Sequence, residues 1–557
     1  MKELKLYIEE KPFSFKGFLQ FLKENTMLVL ISALTIFLVY GAKLTTICFG
    51  VDTEHRIATQ GYLNWLQIGR FGLVALQKLW CNFLANKELF NPYLSVIFGC
   101  MFLFLAALLW CFLLEVFSGG FIKKIAYIPF VIMFISHQVW TEQIYFALQS
   151  AECLFITFAS PIAVYAMFLG TVKKDIKRIT LGVLLAVFCT SVYQGVFILI
   201  CCGICAVFVL FKENTKLESK EYTRICITLF ALMLVCAMCY FILNKIIQMI
   251  LQVEKSDYLL KMVGNDRKSV KWAILNIGVY IYKLVFAHCT VISRIAEPIM
   301  ARAARTGWKA VEQIRESSLM ANILILPAVI AYIFFVLKSE KKSVLYIAAA
   351  FCVPLSCFVL VLIGGGDAPL RSQYVLPFAI GFAMLYGVSR IKGEIFFKLA
   401  VALFLLCGIK QVFVCSMLNY SDVMRYKADV RLSNYIAQKI KEVNTNEDIP
   451  VFLYGVYHPH FAGNYIKGEV CGYSSFEWVS GTDLTDSTSR GIDFMKTQGY
   501  NFSPVKLEDT QLIEKARSIG ETMSDFPATD SVKNEGDVVV VRLSESSYKD
   551  KNSERQE

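Results

Sequence analysis

Charge is scarce in this 557-residue chain: charged residues are 18%, against about 25% in soluble proteins, while hydrophobic residues reach 56%. That shortage excludes a soluble globular protein of this length. A continuous basic surface is also missing. The net charge of +11 is spread over short clusters between apolar runs, which argues against nucleic acid and fits the positive-inside rule. A disulfide framework is absent too. Of 18 cysteines, most lie within apolar runs and only Cys471 falls in the polar tail. Histidine is rare, and His137, His288 and His458-x-His460 match no standard zinc spacing, so neither a metal nor another cofactor is expected and a divalent cation has no support. Gly364-Gly-Gly366 lacks the preceding strand and following helix of a phosphate loop. No cleavable signal peptide is evident, so the first apolar run is expected to stay as an anchor. Internal repeats and mid-span charges, the marks of a transporter, are not clear.

What is present is a series of apolar runs. Residues 1–26 mix Lys, Glu and Phe and read as a cytoplasmic interfacial segment. The first span, from Met27 to Cys48, carries one charge, Lys43, placed to snorkel at its outer end. Ala58 to Leu84 reads as one amphipathic stretch along the outer surface. Ile125 to Ser136 is too short to cross upright and continues into His137 to Glu152 as an outer loop or buried helix end. Ala273 to Ile292 is flanked by basic segments on both sides, which predicts a re-entrant or interfacial element. The count is roughly eleven spans over 27–417, with the N-terminus cytoplasmic and the C-terminus outside a plasma (inner) membrane. After Met417 the composition changes. Ser421 to Val443 and Asp509 to Met523 read as helices, Pro450 to Tyr454 and Gly536 to Arg542 as strands. Residues 418–545 are therefore expected to form a small α/β extracytoplasmic domain, and 546–557 a disordered tail.

One stretch stands out. Directly after the first span come Asp52, Glu54, His55 and Arg56, then Trp65 and Gly69-Arg70. Charge at the edge of hydrocarbon is costly and is usually kept for function.

Asp52 with Trp65 and Gly69-Arg70 resembles the D…W…GR pattern of the phage-type O-antigen glucosyltransferases, the Gtr type II family. Trp140-x-Glu142 with Tyr145 and Gln149 resembles that family's outer segment, although the family usually has Asp-Ser where this chain has Gln149-Ser150. Ser191-Val-Tyr193-Gln194 is similar to its SLYQ segment, and Asp422 to Val443 to the helix that opens its soluble tail. The resemblance implies a GT-C-like polytopic α-helical bundle, a polyprenyl-phosphate sugar donor, a surface polysaccharide or glycolipid acceptor, and chemistry at the outer face.

An inverting transfer needs a base for the acceptor hydroxyl and cations for the departing phosphate. Asp52 or Glu54 fits the base, with Glu142 as a further candidate. Arg56, Arg70 and Arg371 fit a phosphate clamp, because guanidinium matches phosphate in bidentate geometry. Lys271, Lys283 and His288 are expected near the lipid phosphate, and Trp65, Tyr145, Gln149, Tyr193 and Gln194 near substrate. Plainer alternatives exist: loop charges for Asp52 and Glu54, an interfacial anchor for Arg70, helix bridging for Tyr193-Gln194. A polysaccharide polymerase or ligase fits the same outer-facing arginines, and a lipid-linked sugar flippase is the third alternative.

Overall fold

The computed structural model describes residues 13–59, 63–85, 90–254, 270–286, 322, 324–363, 368–446, 448–459, 461, 465–477 and 486–544. Helices dominate. They run α1 (Phe15–Glu24), α2 (Thr26–Thr45), α3 (Thr53–Thr59), α4 (Leu63–Gln67), α5 (Phe71–Ala85), α6 (Pro92–Ser118), α7 (Tyr127–Ile135) and α8 (Gln138–Tyr145). Then follow α9 (Ser150–Lys173), α10 (Ile176–Val192), α11 (Gly195–Asn214), α12 (Ser219–Ile250), α13 (Val270–Ile281), α14 (Ile325–Lys338), α15 (Val344–Ser356), α16 (Val359–Ile363), α17 (Val375–Ser389) and α18 (Glu394–Val443).

Among the described residues, α2, α6, α9, α11, α12 and α18 are long and apolar enough to cross a membrane, and shorter apolar helices include α14, α15 and α17. Their outer faces are greasy: Leu34 and Phe37 on α2, Phe230 and Phe241 on α12, Leu406 and Phe413 on α18 are all exposed. Water would not tolerate so broad an apolar exterior, whereas hydrocarbon does. Helix ends follow the usual chemistry. Asn91 Oδ1 accepts the Leu94 N–H at the start of α6, Pro92 occupies the first turn, and Gly119 closes it at φ 60.

At the centre, α6 packs on α9, and α9 on α10 and α11. Trp110 and Phe378 meet at 4.3 Å between ring centroids. The short pieces α7 and α8 are separated by Ser136 and His137; α8 is buried throughout and α7 at every residue but Ile128. After the exposed Ile125, the segment to Glu152 is thus a largely buried broken helix.

One expectation needs correction. Lys43 does not snorkel: it is 2% exposed and its Nζ lies 2.8 Å from Asp422 Oδ2. A buried carboxylate on a distant helix outcompetes the interface for the ammonium. Ala58 to Leu84 divides between α3, α4 and α5, with Gly69 at φ 79 making the turn before α5. The change in composition at Met417 falls within α18, which runs from Glu394 to Val443. The stretch Ala273 to Ile292, expected to be re-entrant or interfacial, is described only as far as Phe286, as α13 and a wide helical turn, and His288, like 546–557, lies outside the described residues.

Past α18 the described chain adds β1 (Val451–Tyr454), α19 (Asp486–Thr497), α20 (Thr510–Thr522), β2 (Val532–Asn534) and β3 (Val539–Arg542). The sheet order is β1-β3-β2, with β1 parallel and β2 antiparallel to β3. β1 is buried on both faces, as an apolar run in a parallel pair should be. Thr488 fixes α19 to it by accepting the Leu453 N–H (3.1 Å) and donating to the Leu453 carbonyl (2.9 Å). α19 in turn packs on α3.

Candidate active site

The loop leaving α2 is built around close approach. A Cβ on Gly50 would stand 2.1 Å from Tyr145 Cζ, so only glycine fits beneath that ring. Tyr145 Oη accepts the Val51 N–H at 3.1 Å and donates to the Tyr473 carbonyl at 3.4 Å. Asp52 sits at φ 72, the left-handed region that Asp and Asn tolerate best after glycine. Its carbonyl then opens α3 by accepting the Arg56 N–H. The Asp52 side chain is half exposed, while Glu54, in the first turn, is wholly buried.

A cation from the tail faces both. Arg490 Nη1 lies 2.7 Å from Asp52 Oδ1 and 3.4 Å from Glu54 Oε1. Asp493, one turn along the same face of α19, reaches His55 Nδ1 at 2.8 Å. Burial pushes the Glu54 carboxyl up to about 8, reinforced by Asp52 and opposed by Arg490. The hydrogen bond to Asp493 raises His55.

The two arginines after the loop lie against aromatic faces. Arg56 is buried, with its guanidinium 5.9 Å from the Trp65 ring centroid. Arg70 lies 4.2 Å from that of Tyr193 and donates from Nη1 to Gln149 Oε1 at 3.0 Å. Arg56 is close enough to Glu152 for their charges to interact. Both arginines therefore meet the N-terminal end of α9. Gln194 holds the turn between them, donating to the Ile68 carbonyl (2.8 Å) and to Tyr240 Oη (2.9 Å), which donates to the Gly69 carbonyl (3.1 Å).

Glu142 is fully buried and accepts four hydrogen bonds. Oε1 takes the Glu469 N–H (2.7 Å) and Gln138 Nε2 (3.2 Å), and Oε2 takes the Val470 (3.1 Å) and Cys471 (3.0 Å) N–H groups. Arg371 stacks over Phe146 at 4.6 Å and faces Glu469 at 3.8 Å. Among the described residues no group of three His, Cys, Asp or Glu could hold a metal ion.

The model of the family described as Glucosyl transferase GtrII matches residues 41–387. The chain belongs to that family. The matched stretch contains every candidate residue singled out from the sequence, and it ends before the tail that carries Glu469 and Arg490. No curated protein matches the chain.

The structure brings Asp52, Glu54, Arg56, Trp65, Arg70, Tyr145, Gln149, Tyr193 and Gln194 to one end of the bundle, around α8 and the start of α9. Lys271 lies on α13, but its side chain is outside the described residues, as is all of His288. Sequence reasoning missed Glu469, Arg490 and Asp493. Arg490 lies in a Ser/Thr-rich stretch without apolar periodicity, and only packing shows that α19 forms there. Glu469 did leave a trace, standing beside Gly468 and close to Gly472 and the lone tail thiol Cys471.

Glu54 gives a test with a sign. Its fold-state carboxyl holds a proton to about 8 instead of the ordinary 4.5. Between those values the native state binds the extra proton, so stability falls as pH rises through that window and levels off above it. Glu54→Gln is expected to flatten this part of the melting-temperature profile of the purified protein. An unchanged slope between the two proteins would contradict the assignment.

Proposed function

We propose that this family member transfers glucose from a polyprenyl-phosphate donor to a surface polysaccharide or glycolipid at the outer face of the membrane, within a GT-C-like bundle. The observation that carries the reading is the gathering, at the end of one apolar helix, of a half-exposed carboxylate and two arginines in a glucosyltransferase-family chain. In the transfer, Asp52 takes the proton of the acceptor hydroxyl as its oxygen attacks the anomeric carbon. The bond from that carbon to the phosphate oxygen breaks, and its electron pair leaves with the polyprenyl phosphate. Configuration at the anomeric carbon inverts. Arg56, which is buried, and Arg70, which is partly buried, meet the developing phosphate charge, and such charge-assisted contacts strengthen as water is excluded. Glu142, saturated by four donors, positions the tail loop and takes no part in proton transfer.

The placement of the basic groups supports this sidedness. Lys124 reaches back to Glu24 before α2, Arg390 pairs with Glu213, and Lys341 donates to the Thr215 carbonyl. These lie at the end of α2 away from Asp52, which supports a cytoplasmic basic end and an outer site. Labelling of single cysteines placed at 173 and 490 of a cysteine-depleted protein should find them on opposite sides. Purified protein given polyprenyl-phosphate glucose should consume the donor and add single glucose units. Transfer of preassembled oligosaccharide would favour the polymerase or ligase reading, and no consumption of any lipid-phosphate sugar would remove the donor assignment.

A further inference from the structure

Glu142 is buried, and the loop it holds carries a second, partly exposed carboxylate. At Gly468 a Cβ would stand 2.1 Å from Glu142 Oε1, so only glycine allows the loop to settle so close. The following residues aim their N–H groups at buried acids: Glu469, Val470 and Cys471 at Glu142, Gly472 at Asp422, Ser475 at Asp429. The turn is pinned along its length, and Glu469 alone of its charged side chains turns toward the bundle's surface loops.

Among the described residues, one oxygen of Glu469 is hydrogen-bonded and the other faces only a cation at longer range. Oε2 accepts the Leu370 N–H at 2.7 Å. Oε1 stands 3.8 Å from Arg371 Nη1, longer than a hydrogen bond, and the side chain is 25% exposed. Lys283 is a second cation near enough for its charge to act on Glu469, and Phe146 backs the Arg371 guanidinium. Burial, with Glu142 nearby, pushes the Glu469 carboxyl up to about 7 against the pull of Arg371 and Lys283. A held carboxylate with an open oxygen suits sugar hydroxyls, which donate to it. The adjoining cations suit a phosphate. A glucosyl phosphate presents those two groups side by side.

We propose that Glu469 binds the glucosyl unit of the lipid donor, accepting hydrogen bonds from its hydroxyls, while Arg371 and Lys283 face the adjoining phosphate. This rests on the donor reading above and names the residue that recognises its sugar. It also places part of donor recognition on the tail, outside the matched stretch 41–387.

The test is binding to the full-length protein in lipid nanodiscs, comparing polyprenyl-phosphate glucose with bare polyprenyl phosphate. Wild type should prefer the glucosylated lipid. Glu469→Gln should bind it about tenfold or more weakly, a loss on the order of 1.4 kcal/mol, while its affinity for bare polyprenyl phosphate and its melting temperature stay unchanged. Arg371→Ala should weaken both lipids together. Gly468→Ala should lose the preference and also melt lower, since it displaces the loop. If Glu469→Gln does not fold, Glu469→Asp moves the carboxylate back by one methylene and should show the same selective loss. A Glu469 variant that folds and keeps the wild-type preference overturns the inference while leaving the donor reading intact. Wild type that binds the glucosylated lipid no better than the bare one removes the donor reading, and this inference with it.

Discussion

Asp52→Asn should lower turnover with polyprenyl-phosphate glucose by about 10²–10⁴-fold, the usual worth of a positioned general base. The substitution is mild in every other respect. Asn adopts the left-handed φ of 72 as readily as Asp, and its Oδ1 can still accept from Arg490. Donor affinity and melting temperature should therefore stay close to wild type, and the loss should fall on kcat. Glu54→Gln should cost less, because Glu54 is wholly buried and holds its proton to about 8. If both variants transfer glucose at near wild-type rates, the base lies elsewhere.

Arg425→Met should be strongly destabilising. Asp422, Arg425 and Asp429 occupy one face of α18 at three- and four-residue spacing, and none is more than 1% exposed. Arg425 reaches Asp422 Oδ1 at 2.6 Å, Asp429 Oδ2 at 3.2 Å and the Phe49 carbonyl at 3.1 Å. Lys43 covers the other Asp422 oxygen, so two cations balance two carboxylates. Removing one member strands buried charge, at about 3–5 kcal/mol. The expected result is a sharp drop in melting temperature and in yield of folded protein. Glu442→Gln, which breaks the exposed pair with Lys439, should change neither. Similar melting curves for the two variants would refute the account. The network also joins the loop before Asp52 to the tail loop at Gly472 and Ser474, so damage here should reach the site.

The sequence alone determined that this is a membrane-type helical chain, because scarcity of charge and long apolar runs are properties of composition and length. It also determined where the charged stretch after the first span lies, and through Trp65, Gly69-Arg70, Trp140-x-Glu142 and Tyr193-Gln194 it pointed to the family. The strands near Val451 and Val539 were legible from their short apolar runs beside turn residues. Tertiary structure decided what those charges meet. That Lys43 is an internal counter-ion, that Glu142 anchors a loop, and that Arg490 and Glu469 come from the tail to face Asp52 and Arg371 are contacts between residues far apart in the chain. A buried charge on one helix looks, in sequence, the same as a charge at its end. Only packing settles which carboxylate is saturated by N–H groups and which faces a cation at longer range. Pairing energy in a desolvated interior depends on the partner brought alongside, and local pattern carries no record of that partner.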